Sequence, residues 1–281
     1  AFEREGLEVE LYRPPVPDEA VASLFDGRAD VTWGGPMRML QYLDAPGARP
    51  LVGFAEAVTR DPFYLIGARP NNDFRFKDLM SLRLATVAEV PTPWMCLQDD
   101  LRRAGLDPAA VSRETMGTMA QNVEALAQGR VDVVQVFEPY AGQLLRSGQG
   151  YLWYAAATRG PTSYTTLYTS RQFADENPEL LVKLSAALYR TQKWLRDADS
   201  GEIATLVQPY FAQLQNEELD EMVARYRANG VWGENPLLPL VGYVRLKCAL
   251  LSGGLIGSDF PFTDCIDNQY ARRAIAMVDG A

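Results

Sequence analysis

Histidine is absent from this chain of 281 residues, and cysteine is scarce. Without histidine, the chain has no Ser-His-Asp or Cys-His nucleophile system and lacks the commonest zinc ligand. The three cysteines, Cys96, Cys248 and Cys265, form no Cys-x-x-Cys pair, so we expect neither a metal site nor a disulfide framework. Buried free thiols are the simplest interpretation, and one bridge between Cys248 and Cys265 stays open for an oxidising compartment.

Positive charge and long apolar runs are scarce as well. Lys and Arg number 27 against 36 Asp and Glu, which gives a net charge of −9. An acidic surface repels phosphate backbones, so nucleic acid is not an expected partner. No stretch approaches the roughly 18 apolar residues of a membrane span. At roughly 150 residues per domain, the length predicts two globular domains.

A repeated pattern organises the chain. Residues 20–31 and 121–133 each read as a helix that ends at a glycine, followed by Arg and then by Asp-Val at the start of a short apolar strand. Each strand runs into a proline, Pro36 or Pro139, which suits the first turn of another helix. Two copies of one αβ unit predict two α/β lobes of similar construction. In such sheets, ligands bind beyond the carboxyl ends of the strands.

The remaining pattern predicts discontinuous lobes. The first lobe is expected to comprise residues 1–68 and 165–281, and the second is expected to be inserted at 70–163. The turn-rich residues 69–73 and the strand near 163–166 are the expected crossings between them. Further predicted strands are 7–12, 51–57, 62–68, 82–87 and 152–157, and the main predicted helices are 94–104, 178–198, 217–228, 238–251 and 266–278.

Several segments resemble one protein family. They are residues 2–10, 24–31, 76–79, 104–108 and 127–133, the last followed by the pair Glu138 and Pro139. The chain resembles the solute-binding proteins of ABC importers, in the branch that takes thiamine pyrimidine precursors, alkanesulfonates, taurine and nitrate.

The resemblance implies a type 2 periplasmic-binding-protein fold, α/β in class, whose two lobes are joined by a two-strand hinge. It also implies a periplasmic or extracytoplasmic monomer that binds a small molecule and meets a membrane permease. The strand and helix that usually open this fold have no counterpart before Phe2, and we expect either that the full protein contains them or that another segment replaces them. A fungal relative that makes thiamine pyrimidine uses a histidine and a cysteine cluster, so the absence of histidine argues against that chemistry.

The expected ligand site lies where the two repeats end. The turn 89–94 contains Pro91 and Pro93, which remove backbone donors, and Glu89, which adds negative charge, so an oxyanion is disfavoured there. An uncharged or cationic ring that stacks on Trp33 or Trp94 fits better. The residues expected to bind ligand are Trp33, Gly34, Gly35, Thr92, Trp94, Thr118, Glu138, Tyr140 and Tyr164.

Structural roles compete with these assignments. Trp94 could face the core, Thr118 could cap a helix, and Glu138 could support the fold rather than bind an amino-substituted ring. The chain shows no convergent nucleophile, base or cofactor site, so we predict no enzyme. The favoured function is a receptor for an aromatic or heterocyclic solute similar to a thiamine pyrimidine precursor. The alternatives are a receptor for alkanesulfonate or nitrate, and the ligand-sensing domain of a larger receptor.

Overall fold

A computed structural model describes residues 1–14, 16 and 19–280. The strands are β1 (Thr32–Gly34), β2 (Leu51–Val58), β3 (Tyr64–Gly67), β4 (Arg83–Ala85), β5 (Ser112–Glu114), β6 (Val133–Val136), β7 (Tyr151–Ala155) and β8 (Thr165–Ser170). They form two sheets, an antiparallel one in the order β1-β8-β2 and a mixed one in the order β5-β4-β6-β3-β7. In the second sheet β5, β4 and β6 run parallel, while β3 is antiparallel to β6 and β7. The α/β class predicted from the sequence is confirmed.

Helices cover both sheets. They are α1 (Glu19–Asp26), α2 (Pro36–Leu43), α3 (Thr92–Arg103), α4 (Met119–Ala127), α5 (Tyr140–Arg146), α6 (Arg171–Glu176), α7 (Pro178–Asp197), α8 (Ser200–Val207), α9 (Asn216–Ala228), α10 (Leu240–Ser252), α11 (Phe262–Cys265) and α12 (Gln269–Asp279). Within the described residues, none of these helices is long and apolar enough to span a membrane.

The repeat predicted from the sequence is present in both sheets. Helix α1 leads into β1 and α2 in the first sheet, and helix α4 leads into β6 and α5 in the second. Gly27 and Gly129 follow the first helix of each copy with φ values of 79° and 68°. Only glycine adopts this left-handed backbone readily, which is why both helices end there.

The predicted crossings need correction. Strand β3, expected in the first lobe, pairs instead with β6 and β7 of the second sheet because Tyr64, Leu65 and Ile66 are buried on both faces. The chain therefore passes between the sheets at residues 59–63, before the turn at 69–73. It returns at residues 156–164, slightly earlier than predicted.

The two crossing segments are hydrogen-bonded to each other. The Thr162 amide donates to the Thr59 carbonyl over 2.8 Å, and the Tyr164 amide donates to the Val58 carbonyl over 3.0 Å. These bonds make the crossings a narrow two-stranded connection between the sheets.

The strand predicted at 7–12 does not form. Residues 8–13 are exposed and are not part of a strand, because no strand in the described part of the chain pairs with their backbone. A single extended segment without a partner gains no ladder hydrogen bonds, so its β-branched and apolar pattern alone does not make a strand.

Candidate functional site

The inner edge of the second sheet is formed by the carboxyl ends of β4, β5 and β6. The loop after β4 contains Val90, which packs against the core of the first sheet as well as that of the second. Met37 of α2 belongs to the first of these two cores. The loop 86–91 thus reaches the core of the first sheet as well as that of the second.

Three predicted ligand residues come together at the end of β1. Gly34 pairs with Thr166 of β8, and a Cβ at Gly34 would lie 3.7 Å from the Tyr168 hydroxyl. A Cβ at Gly35 would lie 3.0 Å from the Tyr164 carbonyl oxygen, so a side chain there would push the crossing segment away. Glycine at these positions lets the start of α2 approach Tyr164 closely.

Trp33 is an exposed aromatic residue of the first sheet, next to Gly34 and Gly35. It lies on β1, and 57% of its surface is exposed. A large aromatic ring left this open has no packing role that would account for it, and it can stack on a ligand.

Trp94 does not join Trp33, which corrects the prediction. It is 8% exposed and packs with Leu97 and Leu101 in the core between α3 and the second sheet. The Arg113 guanidinium lies 4.3 Å from its ring centroid and covers it. Thr92 is buried as the first residue of α3 and makes no capping hydrogen bond. The apolar spacing of α3, which turns Trp94 inward, outweighs the loop-like sequence before it.

Thr118 caps a helix. Its hydroxyl accepts from the Gln121 amide over 3.3 Å, and its own amide donates to the Gln121 side chain over 2.9 Å. Glu89 adds a second cap by accepting from the Met119 amide over 2.9 Å. The amino end of α4 is therefore already occupied by protein groups, which leaves fewer donors for a ligand anion.

The capping role gives a first prediction. Replacing Thr118 with alanine should lower the free energy of unfolding by about 1 kcal/mol and leave ligand affinity unchanged, because only the cap is lost. Urea unfolding and ligand titration measure the two quantities. Thr205→Ala, an exposed threonine within α8, is the matched control and should not be destabilising. A large loss of affinity in the Thr118 variant would instead assign the hydroxyl to the ligand.

Glu138 is engaged by the protein on both oxygens. One oxygen lies 2.6 Å from Arg225 Nε, and the other accepts from the Gly142 amide over 2.7 Å. The Glu138 amide donates to the Tyr226 hydroxyl over 3.1 Å. These contacts assign Glu138 to the fold, contrary to its predicted role toward ligand.

The two remaining predicted residues are tyrosines. Tyr140 begins α5 and is half-buried against the core of the second sheet. Tyr164 is half-buried beside Phe63, with ring centroids 6.3 Å apart, and among the described residues its buried hydroxyl has no hydrogen-bond partner. Burial raises the pKa of Tyr164 well above its usual value, so the phenol is neutral. An unpaired buried hydroxyl near the crossing segments is available to a ligand when these segments move.

Sequence reasoning missed a buried carboxyl at the same edge. Glu56 is 1% exposed on β2, and its Oε1 atom has no hydrogen-bond partner. Burial raises the pKa of Glu56 to about 7. Hydrogen bonds from the hydroxyls of Ser163 and Thr59 lower this pKa and so oppose part of the rise. The signal in the sequence is a single glutamate within the otherwise apolar run 51–58.

A second missed group is a buried charge cluster. Arg159 contacts Asp61 over 2.8 Å and Asp100 over 2.6 Å, and all three side chains are nearly inaccessible. The cluster ties the first crossing segment and the second to α3. It carries two carboxylates for one guanidinium, so the interior near Tyr164 has excess negative charge.

The cysteines and acidic side chains are the groups that could form a disulfide, an activated thiol or a metal site. All three cysteines are free, so the bridge between Cys248 and Cys265 is not formed. Burial raises the pKa of the Cys96 thiol to about 12, which makes it a poor nucleophile. In the part of the chain that is described, no group of three or more Cys, Asp or Glu side chains is arranged to hold a metal ion.

Comparisons with known proteins agree with this picture. The family described as NMT1/THI5 like matches residues 2–198. The "Putative binding protein YtlA" of Bacillus subtilis (strain 168) is 22% identical over 275 residues, which cover 97% of this chain and 82% of YtlA.

Two solved structures share the fold. The periplasmic aliphatic sulphonate binding protein SsuA from Escherichia coli matches with a TM-score of 0.71 at 18% identity, covering 87% of this chain and 82% of SsuA. The desulfurization enzyme DSZB matches with a TM-score of 0.68 at 16% identity, covering 98% of this chain and 93% of DSZB. One fold thus carries both a binding protein and an enzyme, so the residues of the site have to decide between them.

Proposed function

This chain belongs to the NMT1/THI5-like family, and on that premise we propose that it is the extracytoplasmic solute-binding receptor of an ABC importer. The observation that carries the proposal is the pair of hydrogen-bonded crossing segments, residues 59–63 and 156–164, that connects the two sheets. The first lobe would be built on the three-stranded sheet and the second on the five-stranded sheet. Bending at the crossings would open the cleft, and closure would trap the solute.

The site favours an aromatic or heterocyclic solute that is neutral or cationic, similar to a thiamine pyrimidine precursor. Trp33 offers a stacking face, while Gly34, Gly35 and the unpaired hydroxyl of Tyr164 offer close approach and polar contact. Glu89 already fills the amino end of α4. Its carboxylate disfavours an oxyanion there.

The alternative is a sulfonate or nitrate receptor, which the likeness to SsuA supports. An enzyme of the DSZB kind lacks support here, because the described edge offers no histidine and no activated thiol. The proposed partners are the small solute and a membrane permease, with the receptor acting as a periplasmic or extracytoplasmic monomer.

A thermal-shift screen tests the proposal. The panel contains pyrimidines, aromatic acids, alkanesulfonates and nitrate. A ligand at about 1,000 times its Kd adds roughly 4 kcal/mol, which raises Tm by about 10 °C for a protein of this size. A shift with pyrimidines alone supports the stacking site, whereas a shift with sulfonates or nitrate supports the anion receptor.

Replacing Trp33 with alanine tests directly whether its ring binds the ligand. Because the ring is largely exposed, we expect Tm without ligand to change by no more than about 2 °C, while loss of stacking weakens ligand affinity about tenfold or more. Tyr210→Ala removes another exposed ring outside the cleft and serves as the control. Equal affinities of the parent and the Trp33 variant for the ligand found in the screen would remove Trp33 from the site.

A further inference from the structure

Helix α9 contacts both proposed lobes. Its residue Val223 packs with Trp194 and Trp232 in a small apolar cluster on the side of α7, which lies against the first sheet. Its residue Met222 faces the other way: a Cβ on Gly142 of α5 would lie 2.7 Å from the Met222 methyl group. The helix therefore joins the lobes, as do the two crossing segments and the contact between α3 and α10.

The contact of α9 with the second lobe combines polar and aromatic groups, and Tyr226 packs against the core of the second sheet. Arg225 forms an ion pair with Glu138 over 2.6 Å, and the Tyr226 hydroxyl accepts from the Glu138 amide. The side chains of Arg225 and Glu138 are 23% and 5% exposed. Tyr226 also stacks on Tyr64, with centroids 6.4 Å apart and planes 10° apart. Asn229 extends this contact by donating to the Tyr64 hydroxyl over 3.3 Å.

The two faces of α9 differ in how easily they separate. Pulling Val223 from its cluster exposes aromatic surface to water, which is unfavourable in proportion to the area. Separating Arg225 from Glu138 hydrates both charges, and for shielded ion pairs hydration offsets much of the lost attraction. A movement that opens the cleft would therefore separate the ion pair between Arg225 and Glu138 more readily than the cluster around Val223.

We infer that α9 is a latch, in which the ion pair between Arg225 and Glu138 holds the second lobe against the first in the closed state and releases when the cleft opens. The inference rests on the proposed function, because it requires lobes that move. It also gives a reason for Glu138 of the Glu-Pro pair after β6. Its carboxylate lies where Arg225 of α9 can form an ion pair with the second lobe.

Distances between spin labels test the latch without any ligand. One label is attached through Arg130→Cys after α4, on the second lobe, and one through Lys183→Cys on α7, on the first; both positions are exposed. A Cys248→Ser background removes the partly accessible native thiol. In this background, Arg225→Ala should raise the ratio of open to closed molecules about tenfold or more, seen as a longer-distance population.

Two further variants make the result decisive. Arg146→Ala removes an exposed ion pair with Glu221 that joins the same helices α5 and α9, and it should leave the distances unchanged. Glu138→Gln keeps the side-chain shape and serves if Arg225→Ala fails to fold. An unchanged distance distribution in a folded Arg225 or Glu138 variant would overturn the latch and place α9 as a fixed part of the second lobe. The screen for ligands tests the receptor function separately, so either idea can fail alone.

Discussion

Replacing Glu56 with glutamine is expected to stabilise the protein relative to the parent by about 2–3 kcal/mol more at pH 8 than at pH 5. The carboxyl lies 1% exposed between β2, the second crossing segment and the start of α10. Among the described residues it has no ion-pair partner, and its neighbours Ser163 and Thr59 offer hydroxyls. Burial without a compensating cation is what disfavours its charged form.

The sign of the effect follows from proton binding. The pKa of Glu56 is raised from 4.5 to about 7 in the folded protein, so between these values the folded state binds the extra proton. The stabilisation from this proton is fully present below pH 4.5 and is lost as the pH rises through 7. Glutamine has no proton to lose, so the difference between variant and parent grows over this window.

Urea unfolding at pH 5, 6, 7 and 8 measures the difference. Glu124→Gln, an exposed glutamate on α4, is the matched control and should show no such trend. If the difference between Glu56→Gln and the parent is the same at every pH, Glu56 is ionised in the folded protein and water must reach it.

The sequence predicts the repeated helices and strands of this fold better than it predicts the residues of the ligand site. The glycine stops at Gly27 and Gly129 and the apolar strands after them follow from local chemistry, so both copies of the repeat could be located. The membership of β3 could not be predicted, because a short apolar strand fits either sheet and only its neighbours β6 and β7 decide.

Site residues were harder because side-chain direction depends on packing. Trp94 and Glu138 have the right residue types for a cleft, yet one is turned inward by α3 and the other is held by a helix 87 residues away in sequence. Contacts across such separations leave no local signal. Gly34, Gly35 and Trp33 could be found because glycines around an aromatic residue at a strand end form a local pattern.

Arg159 carries the largest expected effect of a single substitution. Replacement with methionine should lower the free energy of unfolding at pH 7.5 by about 3–5 kcal/mol. Its Nη1 atom lies 2.8 Å from Asp61, and its Nη2 atom lies 2.6 Å from Asp100. Methionine fills much of the volume but leaves two carboxylates buried without a cation, so the loss arises from charge rather than from a cavity.

The pH dependence separates this explanation from a packing defect. Burial already raises the pKa of Asp61 in the parent, and Arg159 opposes the rise. Without Arg159 the pKa rises further, so the variant takes up protons on folding and regains stability as the pH falls from 7.5 to 5. A cavity would cost the same at both values.

Two comparisons complete the test by urea unfolding. Arg103→Met removes the cation of a pair with Asp99 on the same helix α3, but Arg103 is largely exposed, so about 1 kcal/mol or less should be lost. Combining Arg159→Met with Asp61→Asn and Asp100→Asn removes the buried charges together and should recover most of the stability. If the combined variant is no more stable than Arg159→Met, the arginine acts through its packing rather than through its charge.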